Sequence, residues 1–269
     1  MRVLSVGQQE RSEGVGQTAA TQMPDYGNWV GPRLLYVPGA IGVALLILSL
    51  LFFLLIVGAA LSFAVFCYFA YARYEFSPAG GDLQTRIRSL LLDRLEWNGE
   101  GNALDIGCGN GALAISAAQR FRSARVTGVD LWGGSWGYSQ NRCESNAKIT
   151  GSADRVTFLR ASASSLPFPD GSFDAAVSNL VFHEVRGVRD KRTLLDEGLR
   201  VVKKGGVFAF QDLFRIREAY GDLDDLLEVL KSRGIERVEY SDTGASSFIP
   251  RPLRLPFMVG TMGILHGKK

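Results

Sequence analysis

A long uncharged apolar segment dominates the N-terminal third of the chain. Residues 34–72 are 39 consecutive positions without Asp, Glu, Lys or Arg, and nearly all of them are apolar or glycine. A membrane-spanning helix needs about 20 apolar residues. The segment is therefore too long for one comfortable span and just long enough for two, and it predicts a transmembrane segment.

Two arrangements of this segment remain open. In the first, one long helix begins after Pro38–Gly39 and continues to Tyr71, with tyrosines at the level of the lipid headgroups. In the second, which we favour, two short helices form a hairpin that reverses near Gly58–Ala60. A cleaved signal peptide is not expected, because the apolar run starts late and exceeds the apolar core of such a signal.

The charges that flank the segment predict its orientation. Arg73, Arg86 and Arg88 follow it, whereas Arg33 alone lies close to it on the other side. Because Lys and Arg are enriched on the cytoplasmic side of membrane segments, we expect an integral membrane protein whose large C-terminal domain faces the cytoplasm. Residues 1–33 contain few large apolar side chains, so we expect a disordered N-terminal tail.

Beyond the apolar segment, helical and strand-like patterns alternate. Residues 73–100 form a linker with an amphipathic helix, and residues 101–269 form one further domain. Four more helical patterns separate short apolar strands; they cover residues 112–121, 138–149, 191–202 and 220–233. This alternation predicts an α/β fold with a doubly wound, mostly parallel sheet. Residues 237–240 and 257–266 are predicted as two last strands joined by a long loop.

The most informative short motif is LDIGCGNG at residues 104–111. An apolar strand containing Asp105 leads into Gly107, Gly109 and Gly111 and then into a helix, so a ligand can approach the backbone closely at the helix N-terminus. The same turn fits the dinucleotide fingerprint. The acid argues against a pyrophosphate, because a carboxylate at about 4 to 6 Å would repel a phosphate by about 1 kcal/mol or more. A cationic cofactor suits the motif better.

The motif resembles motif I of the class I S-adenosylmethionine-dependent methyltransferases. A second strand ends at Asp130, 23 residues after Gly107, near the spacing of a ribose-binding carboxylate. The resemblance covers roughly residues 82–269. It implies a seven-stranded, mostly parallel sheet with an antiparallel last strand, and it implies S-adenosyl-L-methionine as the cofactor.

The resemblance also suggests which residues contact the adenine ring. Leu131 or Trp132 is a candidate for stacking on adenine, and packing of the tryptophan against the domain is the alternative. Where the family often has an acid after the third strand, this chain has Ser162 and Ala163, so a hydroxyl or the backbone would meet the adenine amino group. The expected cofactor-binding residues are Asp105, Gly107, Gly109, Gly111, Asp130, Leu131, Ser162, Ala163 and Asn179.

Two side chains at the exit of the fourth predicted strand are candidates for catalysis. Displacement at a sulfonium methyl depends mainly on alignment, so a general base is optional. His183 is the candidate base, or else it shapes the pocket or bonds to the backbone. Glu184 is a candidate base or a partner for a substrate ammonium group, or else it lies on the solvated surface. No proline pair follows Asn179, so the signature of amino-directed nucleic-acid methyltransferases is missing.

Composition narrows the partners further. A net charge of +3 without zinc-ligand spacing gives no reason to expect nucleic acid or a metal. Tethering at a bilayer favours a small hydrophobic or lipid-like acceptor. Residues 248–257 alternate apolar and basic side chains. Three roles remain open for them: they cover the acceptor pocket, they touch lipid headgroups, or they only join the last two strands. A membrane-anchored methyltransferase therefore leads. A catalytically silent S-adenosylmethionine-binding scaffold and an NAD-dependent oxidoreductase are the alternatives.

Overall fold

Helices and strands alternate along most of the chain, as the apolar pattern predicts. The computed structural model describes residues 22–133 and 137–269. Its α-helices are α1 (Arg33–Leu48), α2 (Leu55–Glu75), α3 (Leu83–Arg94), α4 (Ala112–Arg120), α5 (Gln140–Ile149), α6 (Arg192–Arg200), α7 (Arg217–Tyr220) and α8 (Leu223–Ser232). Its strands are β1 (Asn102–Ile106), β2 (Arg125–Asp130), β3 (Val156–Arg160), β4 (Phe173–Asn179), β5 (Val202–Asp212), β6 (Arg237–Asp242) and β7 (Gly263–Lys268).

The strands form one seven-stranded sheet in the order β3-β2-β1-β4-β5-β7-β6. The first five strands are parallel, and β7 runs antiparallel to both β5 and β6. The mixed sheet with an antiparallel last strand is therefore confirmed. The predicted start of that strand is wrong, because residues 257–262 belong to the preceding loop. The chain turns back at Gly260, where a Cβ atom would lie 2.3 Å from the carbonyl oxygen of Arg254.

Each face of the sheet has its own apolar core. Because successive strand residues point to opposite faces, Leu104 and Ile106 of β1 enter one core and Ala103 enters the other. Helices α6 and α8 cover the first core, and α3, α4 and α5 cover the second. Helices on both faces leave the carboxyl ends of the parallel strands open for a ligand.

Helices α1 and α2 form the hairpin that the uncharged segment predicts as one of two arrangements. Ser62 Oγ donates to the carbonyl of Pro38 across the hairpin at 2.9 Å, and Gly42 leaves room for the ring of Phe63. The reversal occupies residues 49–54, so its predicted place near Gly58–Ala60 is wrong. Within the described residues, α2 alone is long and apolar enough to cross a membrane, because α1 has only 16 residues.

Part of the predicted disordered tail is packed against the rest of the protein. The amide of Asp25 donates to Asn146 Oδ1 of α5, and the amide of Trp29 donates to Gln84 Oε1 of α3, each at 2.9 Å. Val30 is buried. The prediction of disorder is therefore wrong for residues 22–32, because long-range hydrogen bonds hold them, and residues 1–21 lie outside the described residues.

Candidate functional site

A cavity of about 1190 Å³ lies at the carboxyl ends of the central strands. Its walls come from the segments that follow β1, β2, β3 and β4, together with the base of the hairpin and residues 257–262. The strand order reverses between β1 and β4, and open α/β sheets bind their ligands at such a reversal. The cavity is larger than about 1,000 Å³, the upper range of a site for one small molecule, so it has room for a cofactor and an acceptor.

The glycine loop between β1 and α4 is shaped for close backbone approach. A Cβ atom at Gly107 would lie 2.3 Å from the side chain of Val181, so no other residue fits there. Gly111, the N-cap of α4, has a φ of +83° and lies against Phe158. The amides of Gly107 and Cys108 donate to the carbonyl of Val129 at 2.7 and 2.9 Å. Strand β2 therefore holds the loop in place with its backbone facing the cavity.

Asp130, at the end of β2, connects the loops on either side of the cavity. Its Oδ2 accepts a hydrogen bond from the Gly109 amide at 3.0 Å, and its Oδ1 accepts one from the Trp132 amide at 2.7 Å. The indole of Trp132 donates to the carbonyl of Gly109 at 2.8 Å, while Leu131 is exposed at the cavity. A carboxylate has about four acceptor sites, so Asp130 keeps capacity for further donors.

Three buried polar atoms that line the cavity have no hydrogen-bond partner among the described residues. They are Oδ2 of Asp105, Oδ1 of Asn179 and Nε of Arg88. A buried polar group without a partner costs about 1–3 kcal/mol, and more when it is charged. Asp105 and Arg88, which carry opposite charges, both have such atoms and line the same cavity. They indicate a site for a ligand that itself carries both charges.

Burial has a strong effect on Asp105. It raises the pKa of the carboxyl group from 3.8 to about 7, and the charge of Asp130 adds to the rise. The Ala114 amide and the Arg88 guanidinium oppose this rise without cancelling it. A cation placed beside Asp105 would restore the ionised form, because an opposite charge within about 4–6 Å favours it.

Arg88 is a site residue that the sequence did not reveal, because it belongs to the charges that follow the uncharged segment. It lies on α3 and is buried, and burial lowers its pKa, although the guanidinium stays charged. Its position on the apolar face of α3, one turn from Gln84 and beside Ile87, is the signal that distinguishes it from a surface charge.

The segment after β3 forms another part of the cavity wall. Ser162 and Ala163 both line it, as the resemblance implies for the adenine end. Ser162 Oγ lies 2.8 Å from Ser164 Oγ, so this hydroxyl shares its proton within the segment. The structure therefore brings Ser162 and Ala163 together with Asp130 and Leu131 at one cavity.

His183 follows β4 in a short 3₁₀ turn and lines the same cavity. Its Nδ1 lies 2.6 Å from Oδ1 of Asp212, the buried last residue of β5. The backbone amide of Phe182 also donates to Asp212, which fixes the carboxylate. Burial lowers the pKa of His183, but the hydrogen bond to Asp212 and the charges of Asp212 and Glu184 outweigh this effect and raise it above its usual value.

Asp212 is a second site residue that was not predicted from the sequence. It ends a buried strand, as Asp130 does, and an acid at this position is the signal that identifies both residues. Glu184 also lines the cavity, with its Oε1 3.8 Å from Nε2 of His183. The arrangement leaves Nε2 as the ring nitrogen available for proton transfer, because Nδ1 is bonded to Asp212.

Comparison with known proteins agrees with this geometry. Residues 104–210 match the family described as methyltransferase domain. The chain is 32% identical over 158 residues to O-methyltransferase rstn1 of Aspergillus nomiae, with 52% of this chain and 66% of the relative covered. It is 33% identical to the ubiquinone/menaquinone biosynthesis C-methyltransferase UbiE of Syntrophotalea carbinolica, with 46% of this chain and 53% of the relative covered. The chain thus spans about half to two thirds of the length of these relatives.

A solved structure shares the fold. Geranyl diphosphate C-methyltransferase from Streptomyces coelicolor A3(2), determined with Mg²⁺, geranyl diphosphate and S-adenosyl-L-homocysteine, aligns with a TM-score of 0.54 and 18% identity. The alignment covers 70% of this chain and 80% of that one. The matched segment runs from β1 to Phe210 of β5, so it contains most of the cavity walls described above. The chain therefore carries a class I S-adenosylmethionine-dependent methyltransferase domain.

Proposed function

We propose that this protein transfers a methyl group from S-adenosylmethionine to a hydroxyl group of a small lipophilic acceptor, at the surface of a membrane. One observation carries the proposal. His183, which is hydrogen-bonded to the buried Asp212, lines the same cavity as Asp105 and Arg88, the side chains with buried, unpartnered atoms. A base for the acceptor and a binding site for the cofactor therefore share one space.

The residues around the glycine loop fit S-adenosylmethionine. Asp105, assisted by Asn179 Oδ1, binds the ammonium group of its methionine part, and Arg88 binds the carboxylate. Asp130 binds the ribose hydroxyls, and the adenine lies between Leu131 and the segment at Ser162–Ala163. The backbone of Gly107, Gly109 and Gly111 lies close to the cofactor. A dinucleotide fits less well, because its pyrophosphate would lie near the Asp105 carboxylate.

His183 acts as the general base. When bound, the cofactor supplies a methyl group on a positively charged sulfur, a leaving group that needs no further activation. Asp212 keeps the proton of His183 on Nδ1, so Nε2 accepts the proton of the acceptor hydroxyl as the new oxygen–carbon bond forms. The electron pair of the broken sulfur–carbon bond remains on sulfur. Glu184, 3.8 Å from Nε2, stabilises the imidazolium that results.

The acceptor end of the cavity is apolar. Leu180 and Leu213 lie next to the His183–Asp212 pair and pack into the same apolar cluster as Phe69 and Met258. Within the described residues, no group of three or more His, Cys, Asp or Glu side chains is placed to hold a metal ion. The apolar lining at this end supports a lipophilic acceptor.

The hairpin supports attachment to a membrane. Large apolar side chains cover its surface, and Leu50, Leu51, Phe52, Phe53 and Leu54 at its tip are between 66% and 86% exposed. Contiguous exposed apolar surface of this extent is rare in soluble monomers. The first turn of α1, with Arg33, and the last turn of α2, with Arg73, both lie on the side of the methyltransferase domain. The positive-inside rule places that side in the cytoplasm.

Methyl transfer is tested with the full-length protein in lipid nanodiscs, methyl-labelled S-adenosylmethionine and 4-nonylphenol as the probe acceptor. His183→Asn should lower kcat at least about 100-fold, because general-base catalysis contributes about 10²–10⁴-fold. Its affinity for S-adenosylmethionine should not change. His266→Asn is the matched control, because His266 is buried beside Ser241 in the β6–β7 pair and does not line the cavity. Binding of the cofactor without methyl transfer to any hydroxyl probe would instead favour the silent scaffold.

A further inference from the structure

The exposed residues that line the cavity fall into two groups. Leu131, Gly133, Ser164, Glu184 and Arg186 form a mainly polar group near the adenine and catalytic ends. Leu34, at 44% exposed, and Phe257, at 66% exposed, form an apolar group at the base of the hairpin. The cavity therefore opens to the outside on a polar side and on an apolar side.

The apolar opening is built from the hairpin and the loop before β7. The hydroxyl of Tyr68 on α2 donates to the carbonyl of Pro252 at 3.0 Å, and the Tyr68 ring packs against Phe257 with centroids 6.0 Å apart. Buried Ile249 and Leu253 of the loop share an apolar cluster with Phe76 at the end of α2. These contacts hold the loop against the hairpin, so the position of the opening follows the position of the hairpin.

The depth of the opening follows from the sequence of α1. Leu34 directly follows Arg33, the last charge before the uncharged segment, so it lies where the chain passes from the headgroup level into hydrocarbon. Phe257, with the exposed side chain of Leu255 nearby, extends the apolar surface of the hairpin onto the domain. A water-facing opening would leave this apolar surface in contact with water, which is unfavourable.

We propose that the acceptor enters the cavity sideways from the lipid bilayer, through the opening between Leu34 and Phe257. This inference rests on the proposed methyl transfer to a lipophilic acceptor. The acceptor is then an amphiphile that stays dissolved in the bilayer: its hydroxyl reaches His183, and its apolar part lies along Phe69 and Met258 toward the lipid. The cofactor, which is charged, uses the polar side.

The position of the opening is tested without reference to activity, by nitroxide labelling in vesicles of phosphatidylcholine and phosphatidylglycerol. Cys67 is the exposed native thiol of α2, whereas Cys108 and Cys143 are buried. A label on Cys67 marks the bilayer, and a label on Phe257→Cys in a Cys67→Ala background reports the opening. Leu159→Cys in the same background is the aqueous control, because Leu159 is 41% exposed on β3 at the far edge of the sheet.

We expect the labels at Cys67 and Phe257→Cys to collide mainly with oxygen, which concentrates in lipid, and the label at Leu159→Cys to collide mainly with a water-soluble nickel chelate. If the label at Phe257→Cys instead collides mainly with the nickel chelate, like the label at Leu159→Cys, the proposal is overturned. A water-exposed label at Cys67 would overturn membrane insertion and the proposed entry route together.

The use of the opening is tested by narrowing it. Leu34→Trp should raise the KM for vesicle-dissolved 4-nonylphenol at least about tenfold, because an added ring crowds the entrance. The affinity for S-adenosylmethionine should stay the same. Leu46→Trp is the matched control on the same helix, at 46% exposed and away from the cavity. Equal KM values for the two variants would overturn the route. Absence of turnover in the wild-type protein would refute the proposed reaction, and the nitroxide result would still decide where the opening lies.

Discussion

The replacement Asp105→Asn should stabilise the cofactor-free protein and weaken cofactor binding. Burial raises the pKa of this carboxyl group from 3.8 to about 7. Since the folded state holds the proton more tightly than the unfolded state, the folded protein loses stability as the pH rises from about 4 to about 7. One pKa unit corresponds to 1.36 kcal/mol, so the full cost of ionising Asp105 is about 4 kcal/mol.

The asparagine removes this cost because it is neutral at every pH and keeps one acceptor oxygen for the Ala114 amide. The variant should gain about 4 kcal/mol at about pH 8, and about 2.5 kcal/mol of that gain should appear between about pH 5 and pH 8. At about 2–4 °C per kcal/mol for a protein of this size, Tm should rise by about 8 °C or more at about pH 8.

The assay is thermal unfolding of the full-length protein in detergent, with and without S-adenosylmethionine, across this pH range. The variant should bind the cofactor about 10- to 100-fold more weakly, since it cannot neutralise the ammonium group. Asp174→Asn is the control with the opposite sign. Although burial opposes the effect, hydrogen bonds from the Asn102 amide and Lys203 lower the pKa of Asp174, so its loss should destabilise the protein. A Tm difference between wild type and Asp105→Asn that does not change with pH would refute the reasoning.

Three further predictions concern the site. The pKa of His183 is raised above 6.5 and only the neutral ring accepts a proton, so kcat should rise as the pH increases through a value above 6.5. Asp212→Asn should lower kcat and shift this rise to lower pH. If the variant and the wild-type protein show the rise at the same pH, the assignment of His183 as the base is wrong. Arg88→Leu should weaken S-adenosylmethionine binding about tenfold or more but leave decarboxylated S-adenosylmethionine unaffected, as titration calorimetry with both compounds would show. Gly107→Ala should abolish binding of both compounds, because the new Cβ atom would lie 2.3 Å from Val181. The control Gly133→Ala, which has open space around it, should change binding far less. If Gly107→Ala still binds both compounds, the loop can move aside.

Features that depend on neighbouring residues could be predicted from the amino-acid sequence alone. The alternation of helix and strand periods, the glycines between β1 and α4, and the acids within β1 and at the end of β2 predicted the sheet and the cofactor loop. These are local signals, since backbone freedom at a turn and the side-chain period of a strand belong to a few consecutive residues. The uncharged run allowed one long helix or two short ones and favoured two, although it did not predict the place where the chain reverses between them.

Contacts between residues that are distant in the sequence could not be predicted in this way and follow from the folded structure. Asp212 lies 29 positions after His183 and reaches it because β4 and β5 are adjacent in the sheet. In the sequence, Arg88 looks like an ordinary surface charge. In the folded structure it lies on the buried face of α3 and lines the cavity. Residues 22–32 lack the apolar content of a core segment, yet hydrogen bonds to α3 and α5 hold them in place. Such contacts depend on loop closure and on the packing of whole elements, which a residue's local pattern does not encode.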